Sequence, residues 1–133
     1  MLSISLRWDN PEKTVLVYAF PASWSWQDFY QVKEQADRML DEVQHNVVLI
    51  FDMTQTLAIP TSAISQARSL IDRAHPRGKP IILVGTNLVI RALLGLVSKF
   101  NPRTEELILA VTTLEEARAW VAKNRPSGSL PPQ

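Results

Sequence analysis

Three short stretches of the chain are apolar almost throughout, and they limit the fold more than any other feature of the sequence. The clearest is residues 47–53, Val-Val-Leu-Ile-Phe-Asp-Met, and residues 80–85 and 107–111 are of the same kind. A strand covered on one face alternates polar and apolar residues, whereas a strand covered on both faces is apolar along its length, as in parallel sheets. The sequence therefore predicts a parallel sheet with helices packed against it.

The segments before and between these stretches predict the other elements. Residues 3–8 alternate, and residues 14–20 are β-branched and aromatic, so the turn residues between them predict an antiparallel hairpin. Apolar residues at helical spacing predict a helix after the hairpin and after each apolar strand. These helices are expected over residues 25–42, 60–74 and 87–100, and from Thr113 onward.

The order ββαβαβαβα predicts a single mixed sheet that is parallel after the hairpin, in one α/β domain. The domain is expected over residues 1–124, and residues 125–133, rich in Pro, Ser and Gly, are expected to be a flexible tail. Two helix starts carry capping signals, because Asp28 follows Ser25 and Glu116 follows Thr113 at the required spacing of three residues.

Composition excludes several classes of protein. Hydrophobic residues make up 46% and charged residues 20% of the 133 residues, as in ordinary globular domains. Fourteen basic and thirteen acidic residues leave a net charge of +1, which is no basis for general nucleic-acid binding. The absence of cysteine excludes disulfides and thiolate chemistry. The chain lacks a signal-peptide pattern and an apolar run of ~20 residues, so no membrane span and a cytoplasmic location are expected.

Asp52 is the strongest catalytic candidate, because it ends an apolar strand, where open α/β sheets place ligand sites. Residues 52–56 resemble the Asp-x-Thr-x-Thr motif of P-type pumps and haloacid-dehalogenase-like phosphatases. That chemistry also needs a lysine and further carboxylates around magnesium, and this chain lacks the paired carboxylates downstream. We therefore expect no enzymatic activity and no cofactor, and we expect Asp52 to cap its own loop.

The histidines and the basic residues offer weaker signals. His45 and His75 lie beside predicted helix ends without ligand partners at metal-binding spacing, so solvated side chains and no metal site are expected. Arg68, Arg73, Arg77 and Lys79 lie mostly toward one helix end, where they complement the helix dipole or hold an anion. Residues 85–87 join a strand to a helix and are a weak signal for a phosphate site.

Four aromatic residues, Trp24, Trp26, Phe29 and Tyr30, cluster at the start of the first predicted helix. Two interpretations stay open. Trp24 and Trp26 line a ligand pocket or a partner surface, or they clamp the helix onto the rim of the sheet while Phe29 lies in the core.

The predicted helix over residues 87–100 is apolar nearly all round, so it needs cover on more than one side. Leu93 and Leu94 lie ~100° apart around the helix, as do Leu96 and Val97, so these four cannot all face the sheet. We expect a second subunit of a homo-oligomer, or an apolar small molecule, to complete their burial.

Three segments carry a family resemblance over about residues 3–123. They are Trp-Asp-Asn-Pro-Glu-Lys-Thr at residues 8–14, Trp-x-Trp-x-Asp-Phe-Tyr at residues 24–30, and Val-Leu-Ile-Phe-Asp-Met at residues 48–53. This pattern resembles small bacterial STAS-like proteins, which are related to anti-sigma-factor antagonists, with CRAL-TRIO-type lipid carriers linked to the same branch. The resemblance implies a STAS-like α/β fold.

The resemblance also implies a phosphoacceptor. In the antagonists a partner kinase phosphorylates a serine at a helix start, and the corresponding segment here is Pro60-Thr61-Ser62-Ala63, with Ser62 at the acceptor position and Thr61 beside it. The segment departs from the family pattern, because Pro60 and Ala63 replace Asp and Gly. The alternative is that Thr61 and Ser62 only cap the helix.

The sequence thus predicts a non-enzymatic, STAS-like interaction or regulatory module with a regulatory protein partner. The alternative is a binder of an apolar or lipid-like small molecule that uses the Trp24 and Trp26 cluster and the helix over residues 87–100.

Overall fold

Among the described residues, five strands form one mixed sheet in which spatial order follows chain order. The computed structural model describes residues 4–57, 60, 62–85 and 108–124. The strands are β1 (Ser5–Trp8), β2 (Val15–Ala19), β3 (Val47–Asp52), β4 (Gly78–Val84) and β5 (Ile108–Val111). The pair β1–β2 is antiparallel and the other pairs are parallel, which confirms the predicted hairpin and the parallel strands that follow it.

Within the described residues three helices pack on this sheet. They are α1 (Trp26–Asp41), α2 (Ala63–Asp72) and α3 (Leu114–Lys123). Both predicted capping boxes are confirmed: Ser25 and Asp28 bond reciprocally at the start of α1, as do Thr113 and Glu116 at the start of α3. The predicted helix over residues 87–100, with Leu93, Leu94, Leu96 and Val97, lies outside the described residues.

The two faces of the sheet carry separate apolar clusters because side chains alternate along each strand. Leu49 and Phe51 of β3 pack with Phe29, Ala36 and Leu40 of α1 on one face. Val48 and Ile50, both fully buried, pack on the other face with Ala117 of α3. The apolar stretch at residues 47–53 is therefore covered on both faces, as predicted.

An aromatic group fills the α1 side of the core. The ring of Tyr18 lies 4.5 Å from that of Phe51 and 5.9 Å from that of Phe29, measured between centroids. Burial raises the pKa of the Tyr18 hydroxyl well above its ordinary value, and the negative charge of Asp37 adds to the rise. Tyr18 is therefore a neutral core residue.

β4 begins two residues earlier than the predicted strand, at Gly78 instead of Pro80. Proline has no N–H to donate to a neighbouring strand, so it is tolerated inside a sheet mainly at irregular positions. The register shows such an irregularity: Val47 pairs with Gly78 but Leu49 pairs with Ile81, which leaves one extra residue on β4 around Pro80.

Polar contacts fix α2 against α1. The Tyr30 hydroxyl donates to Gln66 Oε1 at 2.7 Å. Lys33 is buried, and its Nζ donates to Asp37 Oδ2 at 2.8 Å and to the carbonyl oxygen of Arg73 at 3.1 Å. Because a buried ammonium needs partners for its charge, Lys33 ties the carboxyl end of α2 to the middle of α1.

The prediction of a solvated His75 is wrong. Its side chain is only 10% exposed, its Nε2 lies 2.8 Å from Asp41 Oδ1, and its Nδ1 accepts from the Arg77 N–H at 3.1 Å. A carboxylate only accepts, so Nε2 donates to Asp41, and both ring nitrogens of His75 are bonded. The Arg77 guanidinium donates to the Leu40 carbonyl, so this arginine caps α1. His45 Nε2 contacts the Lys13 carbonyl at 2.9 Å.

One ion pair joins α3 to the hairpin. Arg118 Nη2 and Nε donate to the two carboxylate oxygens of Asp9 at 2.7 and 3.0 Å, and Arg7 adds a contact at 3.2 Å. The hydrogen bond from Arg118 is the main reason why the pKa of the Asp9 carboxyl is lowered, and Arg7 adds to this effect. Partial burial of the carboxyl acts in the opposite direction but does not outweigh it. The pair therefore stabilises the folded state while Asp9 is ionised.

Asp9→Asn tests this contribution. We expect a loss of about 1 kcal/mol in the free energy of unfolding at pH 7, a modest value because Arg118 is half exposed. Because the pKa of Asp9 is lower in the folded protein than in the unfolded protein, its ionised carboxylate stabilises the fold at pH values above the unfolded pKa. This stabilisation is lost as the pH falls through the folded pKa. The difference between wild type and Asp9→Asn should therefore shrink below pH ~4. Urea unfolding measures it, with exposed Glu12→Gln as the control. A difference that is independent of pH would contradict the assignment.

Candidate functional site

The loops that follow the parallel strands meet at one edge of the sheet, which we call the carboxyl edge. Main-chain pairing continues past the ends of the strands there: Phe20 N–H donates to the Asp52 carbonyl and Met53 N–H to the Val84 carbonyl, both at 3.0 Å. In parallel α/β sheets this edge is the usual place for ligand and partner sites, because loops from several strands converge on it.

Asp52 caps the loop that leaves β3, as predicted. Its Oδ1 accepts from the Thr54 N–H at 3.1 Å and from the Thr54 hydroxyl at 2.8 Å. The side chain lies on the α3 side of the sheet. The pKa of Arg118 on that side is raised mainly by its hydrogen bond to Asp9, and the charge of Asp52 adds to the rise. The local role of Asp52 is therefore to shape the loop.

The same loop is fastened to the loop after β2. The Thr56 hydroxyl donates to the Pro21 carbonyl and the Leu57 N–H to the Ala22 carbonyl, both at 3.2 Å. The Leu57 side chain is 82% exposed. Leu57 is not among the site residues predicted from the sequence, where it begins an apolar stretch, Leu57-Ala58-Ile59, after polar loop residues.

Gly85 brings the loop after β4 against the loop after β3. Its φ is +81°, and a Cβ on it would lie 2.6 Å from Thr54 Cα, so only glycine fits. Its N–H donates to the Val111 carbonyl at 3.2 Å and so belongs to the sheet instead of a phosphate site. Thr86 and Asn87 lie outside the described residues.

The structure brings Trp24 and Trp26 together, with ring centroids 4.9 Å apart. Trp24 is 8% exposed and also contacts Phe20 and Phe29, while Trp26 is half-buried. The Trp24 Nε1 is buried without a hydrogen-bond acceptor. A buried N–H without a hydrogen-bond partner is uncommon in proteins, so the indole N–H of Trp24 is an unusual feature at the beginning of α1.

Ser62 directly precedes α2 in a backbone conformation that L-residues rarely adopt, with φ at +68°. Its carbonyl accepts from the Gln66 N–H at 3.0 Å and from the Ser65 hydroxyl at 3.1 Å. Its own side chain is exposed, and none of the described residues bonds its hydroxyl. The Ser62 side chain thus makes no capping bond to a described residue, whereas Thr61, the other residue of the capping alternative, lies outside the described residues.

In the described part of the chain, no three His, Asp or Glu side chains come together as a metal site. None of the described helices is long and apolar enough to cross a membrane. No protein-family model matches the chain, and no curated protein matches it significantly.

The strain at Ser62 is testable by replacement with glycine, which accepts a positive φ without steric cost. Ser62→Gly should raise the free energy of unfolding by up to ~1 kcal/mol, because a side chain in the left-handed region costs about that much. Ser65→Gly, inside α2, should lower the free energy of unfolding by about 0.5–1 kcal/mol, because glycine destabilises the interior of a helix by that amount. Urea unfolding at one pH measures both variants. A loss of stability in both would contradict the left-handed Ser62.

Proposed function

We propose that the chain is a non-enzymatic, STAS-like interaction module that contacts a regulatory protein through the carboxyl edge, with Ser62 as its phosphoacceptor. The observation that carries the proposal is the exposed Ser62 hydroxyl, which is held in a strained conformation and makes no bond to the helix that it precedes. Strained residues persist where the surrounding structure holds them, and they are concentrated at functional sites.

Electrostatics at the start of α2 support a phosphate at this position. The first N–H groups of a helix have no partners inside the helix, and the Ser62 hydroxyl does not supply one. A phosphate on Ser62 would add a charge of about −1.5 to −2 and three acceptor oxygens beside these N–H groups and the positive end of the helix dipole. Modification would therefore change the charge of the surface with little cost to the fold.

Leu57 supports the proposed contact surface. It lies five residues before Ser62 in the chain, and its main chain is bonded to the loop after β2, so a largely exposed apolar side chain is fixed in the connection that leads to the acceptor. An apolar contact and a hydroxyl that gains charge, both in this connection, would let a partner distinguish the two states of Ser62.

Binding of an apolar or lipid-like small molecule at the Trp24 and Trp26 cluster is a second candidate function. The unpartnered Trp24 Nε1 favours it, because a ligand with an apolar body and one hydrogen-bond acceptor would satisfy this N–H. Trp24 packs among Phe20, Trp26 and Phe29, so such a ligand would have to displace an aromatic contact to reach the indole.

The leading function is tested in protein purified from its native cells, by phosphopeptide mapping together with identification of co-purifying proteins. We expect phosphate on Ser62 in wild type, none in Ser62→Ala, and the wild-type pattern in Ser65→Ala, because the Ser65 hydroxyl is engaged with the Ser62 carbonyl. We also expect one protein whose recovery differs at least severalfold between Ser62→Ala and Ser62→Asp, but not between the matched variants at Ser65.

Two results would contradict the proposal. Phosphate on Ser65 with Ser62 unmodified would show that the kinase does not recognise the residue that precedes α2. A set of co-purifying proteins that is unchanged between Ser62→Ala and Ser62→Asp would show that charge at this position controls no contact.

A further inference from the structure

β1 is an edge strand, and no described residue bonds its outer side. The Asp9 N–H donates to the Val15 carbonyl at 2.8 Å, so these residues form a hydrogen-bonded pair of the hairpin. Such pairs alternate along an antiparallel ladder, so Arg7, two residues earlier, also turns its main-chain groups toward β2. The N–H and C=O groups of Leu6 and Trp8 therefore point away from the sheet, where another strand can pair with them.

The side chains of β1 are apolar on one face only. Leu6 and Trp8 lie on the α1 face, where they pack against the apolar cluster and stay half-buried, and the buried Ile4 precedes them on the same face. Ser5 and Arg7 lie on the α3 face and are exposed. A strand that pairs with β1 would therefore meet an apolar row on one face, and a polar row with one positive charge on the other.

A second copy of β1 fits this strand best in one antiparallel register. Pairing of Leu6 with Trp8 of the other copy would set the two Arg7 side chains directly opposite each other, and like charges in that position destabilise a strand pair. Pairing of Leu6 with Leu6 sets Ile4 opposite Trp8 and Ser5 opposite Arg7. Apolar side chains then meet on the α1 face, and no like charges meet on the α3 face. This register pairs all of residues 4–8, and every other register pairs fewer of them.

We propose that the β1 edge is a homodimer interface, in which two copies pair antiparallel about Leu6 and join their sheets into one. The occupant is a second copy because β1 is complementary to itself in main-chain pattern, in apolar side chains and in charge, as a two-fold interface requires. The pairing also covers the half-buried side chains of Leu6 and Trp8. This interface goes beyond the proposed function and uses neither Ser62 nor residues 87–100.

Sedimentation velocity of the full chain, from micromolar to hundreds of micromolar, tests the interface with charge variants at Ser5. We expect a concentration-dependent dimer in wild type. Ser5→Glu places a carboxylate opposite Arg7 of the other copy and should tighten the dimer Kd about threefold to tenfold, whereas Ser5→Lys places like charges there and should weaken it to the same extent. Because Ser5 is exposed, both variants should keep the fold, which circular dichroism checks.

Gln31, an exposed residue of α1, supplies the matched control. Gln31→Glu and Gln31→Lys change the net charge in the same way as the Ser5 variants, and they should leave the dimer Kd unchanged because this position is outside the interface.

Cross-linking tests the register, because the chain has no cysteine of its own. In the proposed register the two Leu6 residues form a hydrogen-bonded pair with Cα atoms about 5.5 Å apart, within the range of a disulfide. The two Arg7 residues lie diagonally, about 7–8 Å apart, which is too far. Mild oxidation should therefore join Leu6→Cys into a covalent dimer and leave Arg7→Cys unjoined.

Three results would overturn the interface. One is a monomer throughout the concentration range. Another is a dimer whose Kd is the same in Ser5→Glu and Ser5→Lys, or changes equally in the Gln31 variants, because contact would then lie elsewhere or depend on net charge alone. The third is cross-linking of Arg7→Cys instead of Leu6→Cys. None of these variants alters Ser62, so the outcome is separate from the test of the phosphoacceptor.

Discussion

β3 has a hydrogen-bonded strand on each side and an apolar cluster on each face, and the positions of the other elements follow from that confinement. Its observed register packs Leu49 and Phe51 on one face and Val48 and Ile50 on the other, and a shift by one residue would exchange these faces. That register places Asp52 at the carboxyl edge, and the loop that Asp52 caps leads to Ser62 and α2. The geometry proposed for function therefore begins with the packing of β3.

Much of this arrangement was predictable because its causes are local in the sequence. The apolar residues 47–53 and the alternating residues 3–8 carry the sheet pattern, so the hairpin and the parallel strands could be derived from periodicity. The capping boxes at Ser25 and Thr113 depend on a side chain three residues away, and the Asp52 turn on one two residues away. Interactions of such short range are visible in a single sequence.

The parts that were missed depend on residues distant in the chain. The partner of His75 is Asp41, 34 residues earlier, and Lys33 is buried against a carbonyl 40 residues later. No periodicity encodes either contact. The positive φ of Ser62 was missed for a different reason, since no local signal in the sequence distinguishes a capping serine from a strained one before a helix.

The central claim is that Ser62 displays its hydroxyl to solvent instead of capping α2, and NMR of the labelled protein tests it most directly. Scalar couplings and nuclear Overhauser effects around Ser62 report its φ, and the hydrogen-exchange rates of the first amides of α2 report whether the hydroxyl protects them. The account predicts a positive φ and no protection that depends on the hydroxyl, so Ser62→Ala leaves these rates unchanged. An extended φ at Ser62, with amides that lose protection in Ser62→Ala, would show an ordinary N-cap and contradict the account.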